Sequence, residues 1–90
     1  METLPAKLCQ LRQVIGLSQY QIAFFLNVSQ PAYSYWETGE TQPRWKNVQA
    51  IATFYHISPT DLLSTETGAL LIQILHNQAL QTLSLVGEIS

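Results

Sequence analysis

Leu4, Leu8, Leu11 and Ile15 stand at i, i+4, i+7 and i+11, the spacing that gathers apolar side chains on one face of a helix. A first amphipathic helix is therefore expected over about Pro5 to Ile15, with Gly16 ending it. Ser18 then offers its hydroxyl to a backbone N–H left free in the first turn of a second helix, and Gln21, three residues on, reaches back to complete a capping box. Ile22, Ala23 and Leu26 share one face of that helix, and Asn27, which tolerates a left-handed backbone, turns the chain. Ser29 caps again, Pro31 fits the first turn where no N–H is needed, and Gly39 closes a third helix from about Gln30 to Thr38. Tyr33 and Trp36, at i and i+3, supply its inward face.

Beyond the loop Gly39-Glu40-Thr41-Gln42-Pro43, the positions Trp45, Val48, Ile51, Ala52 and Tyr55 predict a fourth helix from Arg44 to about His56 with one broad apolar face. Ser58-Pro59-Thr60-Asp61 caps and starts a short fifth helix ending near Ser64. Thr65-Glu66-Thr67-Gly68 reads as a polar joint, and Gly68 to about Val86 as a further helix. The chain thus divides into a domain over residues 1–65 and a helical extension over 66–90. The apolar arc of the extension is wider than one packing surface needs. Leu71, Ile72, Leu75, Ala79, Leu83 and Val86 are accordingly assigned to a homodimer contact; the alternative is a helix that completes the monomer core.

The pair of short helices around Asn27, each opened by a serine, has the layout that places one helix end in the DNA major groove, although helical hairpins of this kind also serve as plain core. From about Leu8 to Leu63 the chain resembles the Cro and lambda-repressor-like (XRE) helix-turn-helix family. The pattern is carried by Leu11-Arg12, Gly16-Leu17-Ser18-Gln19, Ile22-Ala23, Leu26, Val28-Ser29, Trp36-Glu37, Gly39, Pro43, Ile51-Ala52 and Ile57-Ser58. The resemblance implies an all-α, five-helix domain that binds operator DNA as a dimer, with the helix after Ser29 as the recognition helix. It implies base contacts from Gln30, Ala32, Ser34 and Tyr35, and phosphate contacts from Gln19, Ser29, Arg44 and Lys46. Arg12 resembles the family arginine that pairs with the glutamate matching Glu37, and is assigned to structure before DNA. A homodimer further implies a palindromic operator.

Charge changes this picture. The chain holds four Lys and Arg against six Asp and Glu, a net charge of −2, so it lacks the cation surplus that drives non-specific DNA affinity. Tyr33 stands where the family has an aliphatic residue, and Glu40 where it often has a lysine. Phe24 and Phe25, expected to face outward with Phe54, mark an apolar patch for the C-terminal helix or a protein partner. The alternative function is therefore a protein-interaction module on the same fold, such as an antitoxin.

The remaining chemistry is sparse. The single Cys9 excludes an internal disulfide and, among Leu8, Leu11 and Ile15, is expected to be a buried thiol. His56 and His76 have no partners at ligand spacing, so no metal or other cofactor is expected. The carboxylates form no acid–base pair, and an enzyme is not expected. No signal segment or membrane span is read from the pattern, and the expectation is a cytoplasmic protein.

Overall fold

The computed structural model describes residues 2–77, and the regular structure in that span is entirely helical. Leu4–Val14 forms α1, Gln19–Leu26 α2, Gln30–Thr38 α3, Trp45–Phe54 α4 and Pro59–Ser64 α5. A sixth helix, α6, occupies residues 67–77 of this span.

One capping chemistry opens four of these helices. Thr3, Ser18, Ser29 and Ser58 hold extended backbone and accept the N–H of Ala6, Gln21, Ala32 and Asp61 at 3.3, 3.0, 3.2 and 3.0 Å. The capping box at α2 is complete, the Ser18 N–H donating to Gln21 Oε1 at 2.8 Å. Thr3 starts the first helix one residue earlier than the apolar spacing alone predicts. The helix ends share a second device. Gly16, Asn27 and His56 adopt φ of 76°, 59° and 58°, and after each the next N–H reaches back five residues, Leu17 to Arg12, Val28 to Ala23 and Ile57 to Ala52. His56 therefore lies outside α4 rather than in its last turn.

The core is built on α1 and α3. Leu8, Leu11, Ile22, Tyr33, Ile51 and Leu62 are fully buried, and Ala23, at 1% exposure, lets α2 approach α3 closely. Tyr33 packs edge-on against Trp36 with ring centroids 5.8 Å apart, as the inward face of the third helix requires. Leu70 and Ile74 of α6 belong to the same core, with Leu71 packed against it, so the core continues across the expected boundary at residue 66. Ile72 and Leu75 point outward. Leu71 thus contributes to the monomer, whereas Ala79, Leu83 and Val86 lie outside the described residues. The start of α6 is held by the other end of the chain: Glu2 accepts the Thr67 N–H at 2.5 Å and the Thr67 hydroxyl at 2.6 Å. These hydrogen bonds hold the Glu2 carboxyl below its ordinary value.

Three expectations are corrected, and one residue was not anticipated. Trp45 is 56% exposed, because it opens α4 at the rim of a cavity it shares with Val48, where no other described element covers it. Phe54 is half-buried against the core and stacks on Phe25 at 5.7 Å instead of facing solvent. Cys9 is half-buried, at the edge of the α1 face. Lys7, by contrast, is 3% exposed: its stem follows the apolar face of α1 and its ammonium donates to Leu62 O at 3.0 Å and Leu63 O at 3.1 Å. These are carbonyls that the last turn of α5 leaves free, where a cation also meets the negative end of the helix dipole.

Lys7→Ala should therefore cost about 2–3 kcal/mol, through two lost charge-assisted hydrogen bonds and a void. Lys46→Ala, at an exposed position, should stay within about 0.5 kcal/mol. Paired urea melts read both, and equal effects would show that the Lys7 contacts are not used in solution.

Candidate nucleic-acid interface

The turn at Asn27 projects the N-terminal end of α3 from the body. Ser29 fixes the first turn by its cap, Pro31 needs no donor partner there, and Tyr33 and Trp36 anchor the opposite face. Tyr35 is exposed, while Gln30, Ala32 and Ser34 are half-buried along the outward side. On α3, Gln30 and Ser34 are neighbours at i and i+4, and Ala32 and Tyr35 at i and i+3, so the four form two adjacent rows.

What orients that face is a chain of side chains reaching back to α1. Arg12 Nε donates to Glu37 Oε2 at 2.7 Å and Nη2 to Glu37 Oε1 at 3.0 Å, while Nη1 donates to Leu17 O at 3.0 Å. Gln19 Nε2 donates to Glu37 Oε1 at 2.9 Å, and Gln30 Nε2 donates to Gln19 Oε1 at 2.9 Å. An ionised carboxylate can only accept, so Glu37 sets the direction of every later bond. Gln19 must turn its amide nitrogen toward Glu37, and its oxygen then faces Gln30. Gln30 is left with one amide N–H and its carbonyl oxygen free, the donor and acceptor pair that matches the major-groove edge of adenine. Gln19 keeps one N–H free at the start of α2. The pairing of Arg12 with Glu37 was legible from the family pattern; the relay through both glutamines was not, because amide contacts leave no spacing signature.

The pair is well shielded, with side-chain exposures of 14% for Arg12 and 4% for Glu37. Burial alone would push the Glu37 carboxyl up, but the hydrogen bonds from Arg12 and Gln19 outweigh it and hold the carboxyl below its ordinary value of 4.5. Arg12 is held more firmly protonated by the same contact. Behind the pair, the Tyr33 and Tyr55 hydroxyls are buried without a well-aligned hydrogen-bond partner, and burial, together with the nearby Glu37 carboxylate, pushes both phenols well above their ordinary value.

Lys7 and Arg12 are engaged inside the protein, so Arg44 and Lys46 are the cations left for the surface. They lie around the start of α4, and Arg44 makes no side-chain capping bond there. Tyr20 escaped the sequence reading. It is 72% exposed on the first turn of α2 and shares a small cleft of about 180 Å³ with Phe24, Val28 and Gln30. Phe24 and Phe25 remain exposed, and the described part of α6 does not cover them. Among the described residues no helix is long and apolar enough to cross a membrane.

A helix-turn-helix family model, HTH_3, matches residues 10–62. The chain is 40% identical over 60 residues to the HTH-type transcriptional activator BcrR of Enterococcus faecalis, an overlap of 67% of this chain and 29% of that protein. It therefore spans less than a third of that relative's length. The crystal structure of a transcriptional regulator from Listeria innocua aligns with a TM-score of 0.64 at 27% identity, covering 97% of this chain and 85% of the other.

Breaking the shielded pair from either side should destabilise by about 3–5 kcal/mol, since the remaining charge is stranded. Arg12→Met with Glu37→Gln should cost less than the two single changes together. Because folding lowers the Glu37 pKa, the stabilisation is complete above the ordinary value of 4.5 and drains as pH falls through the lower folded value. Urea melts from neutral to acid pH should show this loss in the natural chain and a shallower one in Glu37→Gln. Strict additivity and unchanged acid limbs would mean that the two side chains act separately.

Proposed function

Since the chain belongs to the Cro and lambda-repressor-like (XRE) helix-turn-helix family, we propose that it is a transcriptional regulator that binds specific duplex DNA as a homodimer. The carrying observation is the relay Arg12–Glu37–Gln19–Gln30, which presents a donor and an acceptor of Gln30 at the exposed end of α3. Gln30 reads adenine, Tyr35 and Ser34 hydrogen-bond neighbouring base edges, and Ala32 offers apolar contact to a thymine methyl. The free N–H of Gln19, the cap at Ser29 and the cations Arg44 and Lys46 hold phosphates on either side.

Two cations per protomer give little affinity, which favours binding two half-sites at once. The outward Ile72 and Leu75 of α6 supply apolar area for a two-fold contact, continued through Ala79, Leu83 and Val86. Such a dimer sets its recognition helices about 34 Å apart on a palindromic operator. Repression or autoregulation needs no more than occupancy of the site by this dimer. The relative named as an activator is far longer than this chain, and its activating function need not reside in the shared part. The exposed Phe24 and Phe25 favour a second reading, capture of a protein partner on α2, as an antitoxin would use.

Selection from a random duplex pool at low salt should yield a palindrome. On it, Gln30→Ala should cost about 1–3 kcal/mol at one base pair, while Arg44→Ala should weaken all sequences alike. With two cations per protomer, the slope of log affinity against log salt for the dimer should be about −4. Sedimentation of the natural chain and of Ile72→Glu with Leu75→Glu, which leaves Leu70 and Ile74 in the core, should give a dimer and a folded monomer. No selectable duplex, or a dimer that survives these two substitutions, would overturn the DNA reading or the role of α6 respectively.

A further inference from the structure

A cavity of about 710 Å³ opens between the start of α1, the end of α3 and the start of α4. Leu4, Pro5, Trp36, Trp45, Val48 and Leu63 form its walls, and none of the side chains lining it carries a charge. Both tryptophans of the chain meet here, and Trp45 and Leu63, 56% and 46% exposed, leave much of their apolar surface uncovered. The side-chain hydrogen-bonding groups among the lining residues are those of threonines such as Thr38 and Thr41, the Gln42 amide and the two indole N–H groups. The volume falls in the roughly 300–1,000 Å³ range of small-molecule sites, which combine apolar and aromatic walls with a few polar groups.

We propose that this cavity is an effector site for an uncharged aromatic small molecule, and that its occupancy modulates DNA binding. The second clause rests on the function proposed above; the first does not. A charged ligand would lose its hydration against walls that hold no counter-charge, whereas a flat aromatic finds the open Trp45 indole, Leu63 and two prolines, Pro5 and Pro43. A second copy of the chain would need a face of about 800 Å² per partner, and the uncovered area here is instead gathered into one concavity of ligand size. The route to DNA is short. Arg44 lies between Pro43 and Trp45, both in the wall, and Thr38 and Gly39, also in the wall, end the recognition helix. A molecule wedged there bears on the phosphate contact and on the seat of α3 together.

The test uses the full chain and indole as the probe, with indole-3-acetate as the charged control. Indole should saturably shift both tryptophan indole N–H signals in ¹⁵N-correlated NMR spectra, together with the Gly39 and Thr41 amides. Indole-3-acetate should bind about tenfold more weakly or worse, a difference of about 1.4 kcal/mol. Leu63→Arg, at an exposed wall position, should weaken indole binding by a similar factor while leaving the melting temperature unchanged. On a selected duplex, saturating indole should change the affinity of the natural chain by about threefold or more, with no change in Leu63→Arg. Unsaturable or scattered shifts, equal binding of both probes, or undiminished binding by Leu63→Arg would overturn the site. Shifts that follow protein concentration without indole would give the cavity to a second copy and overturn it as well. Indole binding with unaltered affinity for a duplex that does bind would overturn the coupling. Failure to bind any duplex, with the indole shifts intact, would count against the proposed function and against the coupling that rests on it, and not against the site.

Discussion

A carboxylate on the inner side of α3, answered by one arginine of α1, is the constraint on which the arrangement turns. Glu37, nearly enclosed by α1 and α3, accepts from Arg12 and Gln19 together. An isolated charge there would be far too costly, so α1 must present Arg12 at that point and α2 must start where Gln19 can reach. Three helices are thereby fixed in mutual orientation by groups that reject any other partner. The apolar core supplies most of the stability, but it tolerates small slips, whereas a bidentate ion pair does not. The two unpartnered tyrosine hydroxyls behind it add to the cost of this polar seam, and that cost is met by the burial of their rings.

Where structure is decided within a few residues, the sequence was a sufficient guide. Ser18 with Gln21, Asn27, Ser29 with Pro31, and Ser58 with Pro59 each complete their hydrogen bonds within one turn, so the bounds of α2, α3 and α5 were readable. Lys7 was not, because its acceptors lie 55 and 56 residues away and nothing local distinguishes it from a solvated lysine. Trp45 misled for a related reason: periodicity marks which residues could share a face, not whether the fold supplies anything to cover the first of them. His56 hid the end of α4 by doing what glycine or asparagine usually does.

The interface divides along the same line. That Gln30 lies beside Ser34 and Ala32 beside Tyr35 follows from helical spacing, and the Arg12–Glu37 pair followed from family pattern. The order of donors and acceptors through Gln19 to Gln30 required the coordinates, since it depends on two amides from different helices meeting beside one carboxylate. Leu70 likewise entered the core unannounced, because the apolar arc of α6 is wide enough to offer several faces and only packing chooses among them.

The internal use of Lys7 and Arg12 has a kinetic consequence on the proposed reading. Half of the chain's lysines and arginines are committed to partners inside the protein, so the protein carries little field to draw it toward a duplex or to hold it on random sequence while it diffuses along the helix axis. Its search for an operator would proceed by repeated three-dimensional encounters, each brief unless the bases match. Such a protein arrives slowly, spends little time on the wrong sites that a genome offers in excess, and owes its occupancy to how long it stays on the right one.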